Sequence, residues 1–88
     1  MSPPLILFVS ANHAQARLFR VHLRQAGYEL FQIAQGENTL AALKQVNPQL
    51  AFVDWDLPDL SALAVTRAVR MDPGFARLPI IICGREIS

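Results

Sequence analysis

The segment Pro48-Gln49-Leu50-Ala51-Phe52-Val53-Asp54-Trp55-Asp56-Leu57-Pro58 places four consecutive apolar residues directly before an aspartate. A short unbroken apolar run of this kind is typical of a strand that is buried on both faces, as in a parallel sheet. Ligands of open parallel sheets bind outside the carboxyl ends of the strands. The segment therefore predicts a central strand that carries Asp54 to the edge of the sheet where ligands bind.

Apolar runs on both sides of this segment predict three further strands, with helices between them. The predicted strands cover residues 5–9, 28–34, 50–53 and 78–83, and the predicted helices cover residues 14–26, 37–46 and 61–71. Turn-forming residues follow each helix, at Gly27, at Asn47-Pro48 and at Asp72-Pro73-Gly74. Strands that alternate with helices indicate an α/β fold with a parallel sheet and right-handed crossovers.

The apolar residues of each helix predict which side of that helix packs on the sheet. In the first helix, the apolar arc opposite Arg17, Arg20 and Arg24 consists of Ala14, Leu18, Phe19, Val21 and Leu23. In the second helix, the residues predicted to face inward are Leu40, Leu43 and Val46. The third helix allows two inner faces, which are Leu63, Thr66 and Val69 or Ala64, Ala68 and Met71.

The composition predicts one globular domain. The chain has 88 residues, of which 52% are hydrophobic and 17% are charged, and its net charge is +1. This charge gives no sign of direct nucleic-acid binding. No apolar run approaches the roughly 20 residues of a membrane-spanning helix, so we expect no membrane partner. The single cysteine, Cys83, fits a reducing compartment, and we expect a cytoplasmic protein.

The same residues resemble the receiver domains of response regulators in two-component signalling. The most specific match is residues 48–58, which are similar to the family's third strand, its phospho-accepting aspartate at Asp54, and a loop with a proline four residues later. Further matches lie at residues 7–12, 26–28, 34–37 and 77–82. The resemblance implies a flavodoxin-like parallel sheet of strand order 2-1-3-4, in which the family's fifth strand and last helices are absent.

The resemblance also implies that the family's phosphorylation pocket is degenerate in this chain. Receivers carry two adjacent acids after the first strand, which bind Mg²⁺ together with the aspartate, but Ser10 and Ala11 stand there, followed by Asn12. The family's hydroxyl residue at the end of strand four corresponds to Gly84, while Asp56 takes the backbone-ligand position. An attacking carboxylate and a phosphoryl group are both anions, so a divalent cation must bridge them. We therefore expect no bound metal and no other cofactor.

The sequence stops at Ser88, before the helix, the fifth strand with its catalytic lysine, and the last helix that the family adds. We therefore expect residues 1–88 to form one receiver-like domain that is incomplete at its C-terminus. In the family's strand order, the fifth strand pairs with the fourth. Its absence would leave Leu78–Cys83 as an apolar edge, through which we expect a homodimer.

Three functions are compatible with these observations. The expected one is a receiver-like interaction module, not an enzyme, that binds a protein partner or an attached output domain with little or no phosphorylation of Asp54. The alternative is a conventional phospho-accepting receiver, in which Ser10 and Asn12 serve as substitute oxygen ligands for Mg²⁺. A flavodoxin-like enzyme or nucleotide binder is disfavoured, because residues 10–16 contain no glycine that would let the backbone approach a phosphate.

Overall fold

Strands and helices alternate along the chain in the computed structural model, which describes residues 3–84. The strands are β1 (Leu5–Val9), β2 (Glu29–Ile33), β3 (Leu50–Asp54) and β4 (Ile80–Cys83), and the helices are α1 (His13–Gln25), α2 (Thr39–Val46) and α3 (Ala62–Met71). All neighbouring strands are parallel, in the order β2-β1-β3-β4. The predicted flavodoxin-like α/β fold is confirmed, whereas the predicted end of the domain at Ser88 lies outside the described residues.

The sheet separates two apolar cores, because successive side chains of each strand point to opposite faces. On one face, Leu7, Val9, Ala51 and Val53 pack with residues of α2 and α3. On the other face, Ile6, Phe8 and Leu30 pack with Ala16 of α1. The rings of Phe8, Phe19 and Phe52 contact one another on this α1 side, with centroids 4.9 to 6.5 Å apart.

Local side chains fix where the helices begin and end. The Oδ1 of Asn12 accepts a hydrogen bond from the backbone N–H of Gln15, and the Oγ of Ser61 accepts one from Ala64, so each caps the start of a helix. After α1, Gly27 has a φ of +92°, a backbone conformation that favours glycine. Within residues 3–84, no helix is long and apolar enough to cross a membrane.

The predicted faces of α1 and α2 are correct only in part. On α1, Phe19 and Leu23 pack on the sheet with Ala16, whereas Ala14, Leu18 and Val21 are exposed. The predicted arc joined two separate apolar stripes of α1. It was wrong because a helix can place only one of these stripes on its sheet. On α2, Leu43 is buried as predicted, together with Thr39 and Ala42, while Leu40 and Val46 are half-buried.

Two predictions on the last elements were also wrong. The buried face of α3 consists of Ala62, Val65 and Val69, so neither predicted face is correct apart from Val69. The sequence does mark this face, because Ala62, Val65 and Val69 recur at helical spacing opposite Arg67 and Arg70, and the prediction overlooked that pattern. The strand β4 is shorter than predicted, since Leu78 and Pro79 precede it.

The face of α3 can be tested by two truncations to alanine. Val65 is 2% exposed, so Val65→Ala should lower the free energy of unfolding by about 1–3 kcal/mol because it leaves a cavity. Leu63 is 50% exposed, so Leu63→Ala should cost less than about 1 kcal/mol. Urea denaturation of both variants measures the difference. A larger loss for Leu63→Ala would contradict the described face.

Candidate functional site

Three strands deliver the predicted pocket residues to one edge of the sheet. Ser10 directly follows β1, Asp54 is the last residue of β3, and Gly84 directly follows β4. Asp54 is paired in register with Cys83 across the β3–β4 ladder. Because all the strands are parallel, these carboxyl ends converge, as predicted.

Ser10 and Asp54 form the central contact of this edge. The hydroxyl of Ser10 donates a hydrogen bond to the Oδ2 of Asp54 over 2.7 Å. The side chain of Ser10 is fully buried, with 0% exposure, and Asp54 is half-buried. A hydrogen bond to a carboxylate is stronger than one between neutral groups, and the donor of this one is shielded from water.

The remaining polar atoms of the contact are also occupied. The backbone N–H of Asp56 donates to the Oδ1 of Asp54 over 3.0 Å, so each carboxylate oxygen of Asp54 accepts a hydrogen bond from an uncharged donor. The Oγ of Ser10 accepts a hydrogen bond from the backbone N–H of Asn12. The Oδ1 of Asn12 is itself engaged in capping α1. The side-chain oxygens of Ser10, Asn12 and Asp54 therefore all take part in hydrogen bonds within the protein.

A shallow cavity of about 540 Å³ lies over this network. The cavity is lined by Asn12, Asp54, Asp56 and Gly84, with Cys83 and residues of α1 completing its wall. The structure thus brings together five of the six predicted pocket positions, since Ser10 lies directly below the cavity through its bond to Asp54. Ala11 is exposed and does not line the cavity.

The side chains at this edge differ from those of the family's Mg²⁺ site, because Ser10 and Ala11 stand in place of the two acids. Mg²⁺ requires near-octahedral oxygen ligation and is usually held through one or two carboxylates. Within residues 3–84, no group of three or more His, Cys, Asp or Glu side chains is placed to hold a metal ion. The oxygens of Ser10 and Asn12, considered above as substitute ligands, already take part in the hydrogen bonds to Asp54 and to the start of α1.

Cys83 and Trp55 occupy the side of the pocket where the family places a hydroxyl. Burial raises the pKa of the Cys83 thiol, and the nearby negative charge of Asp54 raises it further, so the thiol stays protonated at neutral pH. A Cβ atom added at Gly84 would lie 3.0 Å from the Cβ of Trp55. Because Gly84 has no side chain, Trp55 can lie close to the backbone at this position.

Asp59 has a structural role that its sequence position did not reveal. Its carboxylate accepts hydrogen bonds from the backbone N–H groups of Gly36 and Glu37, both at 2.8 Å, and so joins the loop after β3 to the start of the α2 segment. The hydrogen bond from Glu37 is the largest cause that lowers the pKa of Asp59 below its usual value of 3.8.

This contact predicts a pH-dependent effect of Asp59→Asn. A carboxyl group whose pKa is lowered by folding stabilises the protein above its unfolded pKa, and this stabilisation is lost as the pH falls through the folded pKa. The variant should therefore be less stable than the wild type at pH 7, and the difference should shrink as the pH falls below about 4. Thermal unfolding measured across this pH range tests the effect. A difference that is the same at all pH values would contradict it.

Comparisons with known proteins agree with this fold. The family model described as the response regulator receiver domain matches residues 6–88. The chain is 34% identical over 79 residues to the phosphate regulon transcriptional regulatory protein PhoB of Rhizobium meliloti, and 29% identical over 79 residues to the polar-differentiation response regulator DivK of Brucella anthropi. Both alignments cover 90% of this chain, but they span only 35% of the PhoB relative and 64% of the DivK relative.

Solved structures show the same architecture. The structure of a putative response regulator from Chloroflexus aurantiacus superimposes with a TM-score of 0.86 at 30% identity, covering 91% of this chain and 66% of that one. The chemotaxis response regulator CheY4 of Vibrio cholerae superimposes with a TM-score of 0.88 at 24% identity, covering 98% of this chain and 72% of that one. The second likeness supports the fold alone.

Proposed function

The chain belongs to the response regulator receiver domain family, and on this premise we propose that it is an atypical receiver. It presents a protein-binding surface and is not switched by phosphorylation of Asp54. In this proposal Asp54 keeps its place at the end of β3 as a structural acceptor of hydrogen bonds. The protein is not an enzyme and holds no metal cofactor.

The hydrogen bond from Ser10 to Asp54 is the observation that carries the proposal. The residue at the end of β1 is a fully buried neutral donor, 2.7 Å from the carboxylate. An acid at this position would repel Asp54 unless a cation lay between them. A hydroxyl removes this repulsion and satisfies the carboxylate directly, so the pocket is stable without a cation.

The fourth strand supports the same conclusion. A receiver that responds to phosphorylation uses a hydroxyl at the position of Gly84 to bind the phosphoryl group. Gly84 offers no side chain, and a Cβ there would stand within 3.0 Å of Trp55. That separation is tighter than ordinary van der Waals contact, so restoring the hydroxyl would also require Trp55 to move.

The partner in this proposal is an attached output domain or another protein chain. A homodimer through the Leu78–Cys83 edge stays a prediction, although only Ile80–Cys83 forms the strand at that edge. A cytoplasmic location and the lack of direct nucleic-acid binding also stay predictions, based on the single cysteine and the net charge of +1. The alternative is a conventional phospho-accepting receiver. It would be supported by stabilisation of the wild type by Mg²⁺ or by a phosphate adduct on Asp54.

The first experiment compares the response of two proteins to Mg²⁺. The melting temperature of the wild type should not change with Mg²⁺, because the side-chain oxygens of Ser10, Asn12 and Asp54 already take part in hydrogen bonds. The double variant Ser10→Asp/Ala11→Asp restores the two acids and should be stabilised by about 1.4 kcal/mol at a tenfold excess of Mg²⁺ over its Kd, which raises Tm by about 6–11 °C. Differential scanning calorimetry measures both.

The matched control is Ser10→Asn/Ala11→Asn, which has side chains of similar size without charge and should show no response to Mg²⁺. Ser10 is fully buried, so the acidic variant should be less stable than the wild type without Mg²⁺ and should recover on its addition. A saturable rise in the melting temperature of the wild type would overturn the proposal.

The second experiment asks whether Asp54 accepts a phosphoryl group. The wild type is incubated with acetyl phosphate and Mg²⁺, and its intact mass is measured. We expect no phosphate adduct, because no cation bridges the two anions. An adduct on the wild type that is lost in Asp54→Asn would establish the conventional function instead.

A further inference from the structure

The backbone carbonyl of Ser10 is held by a side chain of the neighbouring strand. The ladder between β1 and β2 ends at the pair of Val9 and Ile33. One residue further, the backbone N–H of Ser10 still donates to the carbonyl of Ile33 over 2.9 Å. The carbonyl of Ser10 accepts a hydrogen bond from the side-chain Nε2 of Gln32 over 2.7 Å. A side-chain amide therefore continues the ladder at a point where β2 has already ended.

The amide of Gln32 has one orientation that fits its surroundings. The atom next to the Ser10 carbonyl must be the nitrogen, because a carbonyl oxygen only accepts hydrogen bonds. This nitrogen also lies 3.1 Å from the Nδ1 of His13, whereas the Oε1 of Gln32 lies 3.4 Å from the same Nδ1. When the imidazole carries its proton on Nε2, Nδ1 accepts the second N–H of the amide. Both N–H groups of Gln32 then have a partner, one on the loop after β1 and one at the start of α1.

Ser10 is thus bonded through its backbone on one strand and through its side chain on another. Its backbone groups are bonded to Ile33 and Gln32 of β2, while its hydroxyl donates to Asp54 at the end of β3. A serine side chain has staggered positions about its first torsion angle, and the backbone decides which acceptor each of them reaches. Since Ser10 lies beyond the last residue of β1, the bond from Gln32 constrains a backbone segment at the end of the strand.

We infer that Gln32 is a positioning residue, which holds the backbone of Ser10 so that the hydroxyl of Ser10 stays directed at Asp54. The lining of the cavity over Asp54, within residues 3–84, does not include Gln32. A residue of β2 outside the pocket therefore sets the state of the contact inside it. The inference rests on the proposed function, since it concerns the hydrogen bond by which that function explains Asp54.

A purely structural role of Gln32 would have a different consequence. If Gln32 contributed only to the stability of the sheet, its loss would lower the free energy of unfolding and leave Ser10 unchanged in the molecules that remain folded. If Gln32 positions Ser10, its loss changes the side-chain torsion of Ser10 in the folded state itself. It also weakens the hydrogen bond that the Oγ of Ser10 accepts from the N–H of Asn12.

The test measures the side-chain torsion of Ser10 by NMR three-bond couplings, on the 88-residue chain. The wild type should show one rotamer. In Gln32→Met, which has a similar length and no donor, the population of the other rotamers should rise about fivefold, the factor for a net hydrogen bond of about 1 kcal/mol. Gln32→Glu keeps the shape but places an acceptor against the Ser10 carbonyl, so its rise should be larger.

The amide proton of Asn12 supplies a second readout. Its chemical shift in Ser10→Ala marks the state without the hydroxyl, and the shift in both Gln32 variants should move from the wild-type value toward that position. The matched control is Gln49→Met, an exposed glutamine before β3 at the other end of the sheet, and it should change neither readout. Wild-type chemical shifts of the α3 amides establish that each variant is folded.

A single, unchanged Ser10 rotamer in folded Gln32→Met and Gln32→Glu would overturn the inference and leave the proposed function in place. An equal change in Gln49→Met would also overturn it. Several Ser10 rotamers in the wild type would contradict the inference and the contact on which the proposed function depends. The proposed function fails separately through a response to Mg²⁺ or a phosphate adduct, neither of which this experiment involves, so the two failures are distinguishable.

Discussion

The hydroxyl of Ser10 and the carboxylate of Asp54 join the two central strands at the edge of the sheet where ligands bind. The bond is 2.7 Å long, and Ser10 has no exposure to solvent. A buried hydrogen bond to a charged group contributes about 1.5–3 kcal/mol, and removing one partner leaves the other unsatisfied at a similar cost. The same Ser10 hydroxyl accepts the N–H of Asn12, which caps α1. One side chain therefore fixes the carboxylate and the start of a helix together.

The functional proposal follows from the number of charges at this edge. A pocket with several carboxylates at one point is stabilised by a bound cation, and such a pocket can also respond to a phosphoryl group. A neutral donor in place of an acid removes the need for the cation and, with it, the means of attracting a second anion. On the opposite side of the pocket, Gly84 removes the hydroxyl that would bind a phosphoryl group, and Trp55 lies close to where its side chain would be. What stays unchanged within residues 3–84 is the order and parallel pairing of the four strands.

The parts of the fold that could be predicted from sequence are those with one physical signal. Three of the strands are unbroken apolar runs, and a parallel sheet then brings their carboxyl ends together, so the place of Asp54 followed directly. The face of α3 was predicted wrongly, although Ala62, Val65 and Val69 recur at helical spacing opposite Arg67 and Arg70. The link from Asp59 to Gly36 joins residues 23 positions apart, and no local pattern marks it. The two stripes of α1 were merged into one arc, although their residues lie about half a turn apart on the helix.

The most direct test of this account is a high-resolution crystal structure of the chain grown with Mg²⁺ and beryllofluoride, which mimics a phosphoryl group. The account predicts that the hydroxyl of Ser10 remains about 2.7 Å from the Oδ2 of Asp54 and that no octahedral ion or fluoride density lies beside the carboxylate. A Mg²⁺ ion coordinated by Asp54, with beryllofluoride bonded to the other oxygen and the Ser10 contact broken, would contradict it.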